Sequence, residues 1–83
     1  MARILFFGKL GDAAGGRSRD MALGANTRTV SDLVSVLGAA DAPLGAMLNE
    51  KSVRVIINEL VAGRDAVIGD EDEIAFLPPV SGG

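Results

Sequence analysis

The sequence predicts an α+β domain in which helices cover one face of a mixed sheet, and three features lead there. Ile4-Leu5-Phe6-Phe7 near the start and Ile74-Ala75-Phe76-Leu77 near the end are apolar on both parities, as strands inside a sheet are. Between them Val30, Leu33, Val34 and Leu37 fall at i, i+3, i+4 and i+7, one apolar stripe for packing a single helix on that sheet. The order strand, strand, helix, short helix, strand, final strand then suits a sheet of four to five strands covered on one face by the main helix and a shorter one.

Each element has its own local cause. Arg3 and Gly8 bound the first strand, and Leu10 to Gly16, rich in alanine and glycine, suits a loop with one helical turn and a bend at Gly15-Gly16. Gly8, Gly11, Gly15 and Gly16 invite comparison with a phosphate-binding loop, but no Gly-Lys-Ser/Thr follows and Lys9 sits on the wrong side of them. Ser18 to Leu23 alternates, Met21 and Leu23 against Asp20 and Ala22, as a second strand does. Thr29-Val30-Ser31-Asp32 is a capping-box pattern that starts the main helix, and Gly38 is its natural stop. Asp41-Ala42-Pro43 reopens a short helix through Leu48, with Pro43 tolerated in the first turn, and Asn49 ends it.

Val53-Arg54-Val55-Ile56-Ile57-Asn58 is β-branched almost throughout and makes the strongest strand, with a short strand or bulge at Leu60-Val61 and a turn from Gly63 to Asp65. Asp70-Glu71-Asp72-Glu73 brings four carboxylates together, but neighbours in a turn or strand do not converge on one point, so a solvated turn is expected rather than a metal site. Recruitment of a basic partner surface is the functional alternative for that run. With the first and last strands side by side at the centre, their outer faces leave an apolar patch for docking beside the root of the C-terminal segment.

Composition removes several classes of function. Eighty-three residues make one domain with one core. Without cysteine, histidine, tyrosine or tryptophan the chain lacks a thiol, the commonest general base and metal ligand, and a phenolic acid, so an enzyme acting alone is not expected. The net charge is −3, from 8 basic and 11 acidic residues, with the basic ones scattered, so nucleic acid is not the expected partner. No signal-peptide layout and no apolar stretch near ~20 residues occur, which reads as a soluble cytoplasmic protein with no membrane partner.

The chain closes on Leu77-Pro78-Pro79-Val80-Ser81-Gly82-Gly83. Pro78 and Pro79 fix φ, remove two donors and push Leu77 towards an extended conformation, so the last strand must stop and the chain must leave the sheet. Residues 1–77 are therefore expected to form the body and 78–83 a flexible tail. In polyproline-like geometry at ~3.1 Å per residue, the seven residues would reach roughly 20 Å. Gly82 and Gly83 carry no Cβ, so this end can lie in a channel too narrow for other residues, with the α-carboxylate open on both faces.

Ile4 to Phe7, Thr29-Val30 with Leu33, Val55 to Asn58 and above all Asp72 to Gly83 resemble the small subunit of molybdopterin synthase, one of the ubiquitin-like β-grasp sulfur carriers, nearly end to end. The resemblance implies a β-grasp fold and a C-terminal Gly83, preceded by Gly82, that a partner enzyme adenylates with ATP and that is then converted to a thiocarboxylate. It further implies a large synthase subunit, assembled with this chain as a heterotetramer. That subunit takes up the tail and uses its sulfur to build the dithiolene of molybdopterin from a cyclic pyranopterin precursor. Pro78, Pro79, Val80 and Ser81 would lead the tail into the partner, Phe7, Leu60 and Phe76 would form the docking patch, and no cofactor would be held stably, since ATP belongs to the activating enzyme. Period-2 alternation alone leaves open which face Phe76 occupies. Glu71 stands where the family usually has glycine, which puts the turn before the last strand in question. A carrier for thiamine, cysteine or tRNA thiolation, a ubiquitin-like modifier joined to lysines, and a non-covalent adaptor remain as alternatives.

Overall fold

In the computed structural model, which describes residues 1–79, the strands are β1 (Ala2–Phe6), β2 (Ser18–Met21), β3 (Arg54–Ile57), β4 (Leu60–Ala62) and β5 (Glu73–Leu77). They form one five-stranded sheet in the order β2-β1-β5-β3-β4. The two runs that are apolar on both parities, β1 and β5, lie side by side and parallel at the centre, with Ile4 opposite Ile74 and Phe6 opposite Phe76. The neighbouring pairs are antiparallel, so the sheet is mixed as expected.

One face of the sheet is covered by α2 (Val30–Ala40) and α3 (Ala42–Leu48), with α1 (Lys9–Ala14) packed beside β1 and α3. The α2 stripe lies wholly inside: Val30, Leu33, Val34 and Leu37 are buried against Ile4, Phe6, Val55, Ile74 and Phe76. Each large apolar side chain so buried stabilises the fold by about 1.5–3 kcal/mol. The Phe6 and Phe76 rings stack at 6.1 Å between centroids. Arg19 lies 5.6 Å over the Phe6 ring while donating to the Ala14 carbonyl at 2.9 Å, so its cation closes the core edge and also caps the end of α1.

The capping box at α2 forms as read from the sequence. Asp32 N–H donates to Thr29 Oγ1 at 3.2 Å, and Asp32 Oδ2 accepts from the Thr29 and Arg28 amides, both at 3.0 Å. The amide of Arg28, then that of Thr29, holds the Asp32 carboxyl below its ordinary pKa by bonding to its charged form.

Gly38 is not the stop. The helix runs on to Ala40, and Asp41 both ends α2 and caps α3 by accepting from Leu44 N–H at 3.1 Å. Gly38 is instead the place where α3 crosses: a Cβ built on Gly45 would lie 2.5 Å from Gly38 Cα, so two backbones meet with no side chain between them. Where Leu10 to Gly16 suited a loop with one helical turn, Lys9–Ala14 form a six-residue helix with Leu10 fully buried and Gly15 at φ 80° closing it.

The β3–β4 hairpin turns through Asn58 and Glu59, with φ of 50° and 72°, the left-handed pair that a two-residue turn between twisted strands requires. Asn58 also ties the hairpin to β5. Its side chain donates to Asp72 Oδ1 at 2.8 Å and accepts from Glu73 N–H at 2.9 Å, while its own backbone amide donates to Glu73 O.

Candidate docking face and tail root

Strand register assigns every β residue to a face. Ile4, Phe6, Ile74, Phe76, Val55 and Ile57 share the helix-covered face, so the alternate positions form the other one. Leu5, Ala75 and Ile56 lie in one row across β1, β5 and β3, Val61 extends it onto β4, and Leu77 sits a step nearer the tail. Leu5, Ile56 and Leu77 are half-buried and Val61 is exposed, with no helix over them. Arg3, Asp20, Ser18, Glu73 and Arg54 occupy the same face around this apolar stripe. An apolar centre with a charged rim is how a releasable protein interface is built.

The three expected patch residues separate here. Phe7 continues the parity of Leu5 and is 47% exposed, so it can offer its ring to a partner. Phe76 is fully buried, stacked on Phe6 under the helices, which answers the question of its face and removes it from any docking surface. Leu60 is 72% exposed but pairs with Ile57, so its parity is that of the covered face and it lies at the outer rim of β4. Three strand spacings of ~4.8 Å separate β4 from β1, so Leu60 and Phe7 do not adjoin. Leu5, Ile56, Val61 and Leu77 were not singled out from the sequence. The signal for them is present in β1, where burial of Ile4 and Phe6 would place Leu5 and Phe7 opposite.

The root of the tail is held at the end of β5. Leu77 is opposite Arg54, and Phe7 N–H donates to Phe76 O at 3.1 Å, so the chain past β1 stays with β5 to its last residue. Pro78, half-buried, lies against Gly8: a Cβ on Gly8 would come 3.0 Å from Pro78 Cγ, and Gly8 itself has φ 55° and ψ −135°, a conformation open to glycine. Pro79 is exposed, and Val80, Ser81, Gly82 and Gly83, the remaining expected site residues, lie outside the described residues. A groove of about 720 Å³ opens beside this root, lined by Leu5, Phe7, Gly11, Gly16, Arg17 and Ser18 among others.

The amides of Gly11, Gly15 and Gly16 are not free to cradle an anion, because they already donate to Gly8 O, Asp12 O and Gly11 O. The acidic run 70–73 makes a turn that leads into β5 at Glu73, and two of its carboxylates tie it to the fold. Asp70 Oδ1 accepts from Leu23 N–H at 2.7 Å, and Asp72 Oδ2 accepts from Gly69 N–H at 2.8 Å. Glu71 sits exposed in that turn, and the positive-φ non-glycine residues of the described chain are Asn58 and Glu59, so the turn does not need glycine at position 71. Among the described residues no group of three or more histidine, cysteine or acidic side chains is placed to hold a metal ion. The open face with its apolar row is suited to docking a partner.

A mixed sheet with a central parallel first and last strand, helices on one face and the chain leaving from the central strand defines a ubiquitin-like β-grasp protein. The profile of the ThiS family matches residues 4–83, and the chain belongs to that family. The molybdopterin synthase sulfur carrier subunit of Escherichia coli (strain K12) is 29% identical over 83 residues, all of both chains. That of Mycobacterium tuberculosis (strain ATCC 25618 / H37Rv) is 31% identical over 96% of this chain and 94% of its own. The solution structure of the small archaeal modifier protein 1 from Methanosarcina acetivorans is similar at a TM-score of 0.81, with 28% identity over 99% of this chain and 95% of that one. No helix among the described residues is long and apolar enough to cross a membrane.

Proposed function

We propose that this protein carries sulfur on the carboxyl group of Gly83 as the small subunit of a molybdopterin synthase. The observation that carries the reading is its alignment, over at least 96% of its length, with two sulfur carrier subunits of that synthase, together with its own Pro-Pro-Val-Ser-Gly-Gly ending. A carboxylate is a poor electrophile, so an adenylating partner first joins it to AMP and releases pyrophosphate. Hydrosulfide from the sulfur donor then attacks the unhindered glycyl carbonyl, the bond from that carbon to the AMP oxygen breaks so that AMP departs, and a thiocarboxylate remains for transfer to a cyclic pyranopterin in the large subunit. Leu5, Phe7, Ile56, Val61 and Leu77 dock each partner in turn, while Pro78 and Pro79 direct residues 80–83 into the partner's channel. Two successive partners on one small face call for interfaces of moderate size that release.

The test is intact-mass and C-terminal peptide mass spectrometry after incubation with the adenylating enzyme, ATP and a sulfur donor. Exchange of one oxygen for one sulfur in the C-terminal peptide is expected, and absence of any gain there would overturn the reading. The likeness to the archaeal modifier protein favours a second reading, isopeptide attachment of Gly83 to lysines of other proteins. A ladder of conjugates on a blot against this chain, with no thiocarboxylate consumed by pterin conversion, would favour that reading.

A further inference from the structure

We propose that Lys9, Arg17 and Arg54 form a basic collar around the tail root that steers the chain tail-first onto an acidic rim framing the tail channel of its adenylating partner. The inference rests on the sulfur-carrier reading and adds the partner's chemistry to it. The net charge is −3, and taken as a whole the molecule would repel an acidic surface. Strand direction, however, sorts its charges into two poles.

At the start of β1 and β5 stand six of the eleven acidic residues, Asp20, Glu59, Asp70, Glu71, Asp72 and Glu73, where Arg3 pairs with Asp20 at 3.4 Å. At the other end of the same strands the tail root is flanked by cations on both sides. Arg54 is opposite Leu77 on β3; Lys9 follows Gly8, which touches Pro78; and the Arg17 carbonyl accepts from Phe6 N–H at 2.8 Å, beside the end of β1. All three are exposed, and no ion pair among the described residues engages them. Asp12 on α1, the neighbouring Glu50 and Lys51 ahead of β3, and Arg64, which donates to Glu50 O at 2.9 Å and is followed by Asp65, are further charges towards this end, and within the pairs Glu50–Lys51 and Arg64–Asp65 the signs offset each other.

A five-residue strand spans roughly 17 Å, about twice the ~8 Å screening length at physiological salt, so a partner at the tail pole feels the collar and little of the acidic pole. Complementary charge of this kind acts chiefly on encounter rate and orientation. The acidic pole completes the device by disfavouring approach with the wrong end first.

The experiment measures association and dissociation rates of wild type, Lys9→Glu/Arg17→Glu/Arg54→Glu, the milder Lys9→Gln/Arg17→Gln/Arg54→Gln, and Glu71→Lys against the purified adenylating enzyme of the same genome. Ionic strength runs from about 0.01 M to about 1 M, where the screening length falls from ~30 to ~3 Å. Thiocarboxylate yield at saturating enzyme is read in parallel, and a melting curve confirms folding, with the glutamine set replacing the glutamate set should the latter not fold.

The collar variants are expected to associate about tenfold or more slowly at low salt and to converge on wild type at high salt, with dissociation changed less. Glu71→Lys should not associate more slowly than wild type. Equal low-salt association rates for wild type and the collar variants would overturn the proposal. So would salt-dependent self-association of the wild type with unchanged partner kinetics, which would give the collar to the acidic pole of a second copy. Sulfur gain with rates indifferent to the collar removes this inference alone, whereas no sulfur gain by wild type removes the carrier reading beneath it.

Discussion

Phe76 and Phe7 are both aromatic residues near the tail end of the central strand pair, yet one is core and the other surface. The difference is one of parity. Phe76 takes the face of Ile74 and stacks on Phe6, so Phe76→Asp would bury an unpaired carboxylate among Phe6, Leu10 and the helices, at a cost that a domain of this size cannot absorb. Circular dichroism is expected to show that variant largely unfolded. Phe7→Asp should keep a cooperative melt near that of wild type and weaken partner binding by tenfold or more, because an unpaired charge would enter the docking face. A folded Phe76→Asp would contradict the assigned faces, as would an unfolded Phe7→Asp.

At the same scale, Asp32 links the α2 cap to pH. Its folded pKa is depressed by the Arg28 and Thr29 amides, so its contribution is full above the ordinary carboxylate value of about 4 and is lost as pH falls through the lower folded value. Asp32→Asn should therefore melt lower than wild type at neutral pH, with the gap narrowing below about pH 4. Melts taken across the acid range check this, and a constant gap would contradict it. Such residue-level roles were legible where a local pattern defines them, as with the capping box. The face of Phe76 was not, because it depends on pairing between residues some seventy positions apart.

Among the elements, the α2 stripe, the α3 start at Asp41-Ala42-Pro43 and the β-branched β3 were legible because periodicity and capping act within a few residues. Gly38 looks like a stop in the sequence, yet its cause lies in another helix: the α2–α3 crossing needs two glycines face to face. Gly45→Ala would force those backbones apart, since a Cα cannot move aside as a side-chain tip can. Overpacking of this kind costs about 1–3 kcal/mol, and at roughly 4–8 °C per kcal/mol for a domain of this size the loss should be plain in a thermal melt. An unchanged Tm would show that the crossing has slack.

The β4 hairpin was only half legible for a related reason. Asn58-Glu59 lacks the glycine that usually signals a two-residue turn, and the left-handed pair is held there together with the Asn58 bonds to Asp72 and Glu73. The acidic run was read as solvated, and no sequence pattern pairs Asp70 with the distant Leu23 amide or Asp72 with Asn58.

For the whole molecule, the central parallel pair makes one rigid strut that ends at Leu77, with the helices on one side and an apolar stripe on the other. That order of elements was legible because β1 and β5 advertise burial on both parities. Phe7 was legible as an aromatic residue beside the tail root, and the structure leaves it exposed, while the apolar row of Leu5, Ile56 and Val61 became definable only once register was known.

The division of labour between body and terminus can be tested on one variant that leaves the body untouched: the chain extended by one residue after Gly83. Extension displaces the carboxylate from the adenylating geometry, where small misplacements are expensive in rate, and leaves the open face and Pro78-Pro79 unchanged. The sulfur-for-oxygen mass gain should therefore fall to background, while affinity for the adenylating enzyme stays within a few-fold of wild type. If the extended chain still acquires sulfur and supports pterin conversion at the normal rate, Gly83 is not the carrier position.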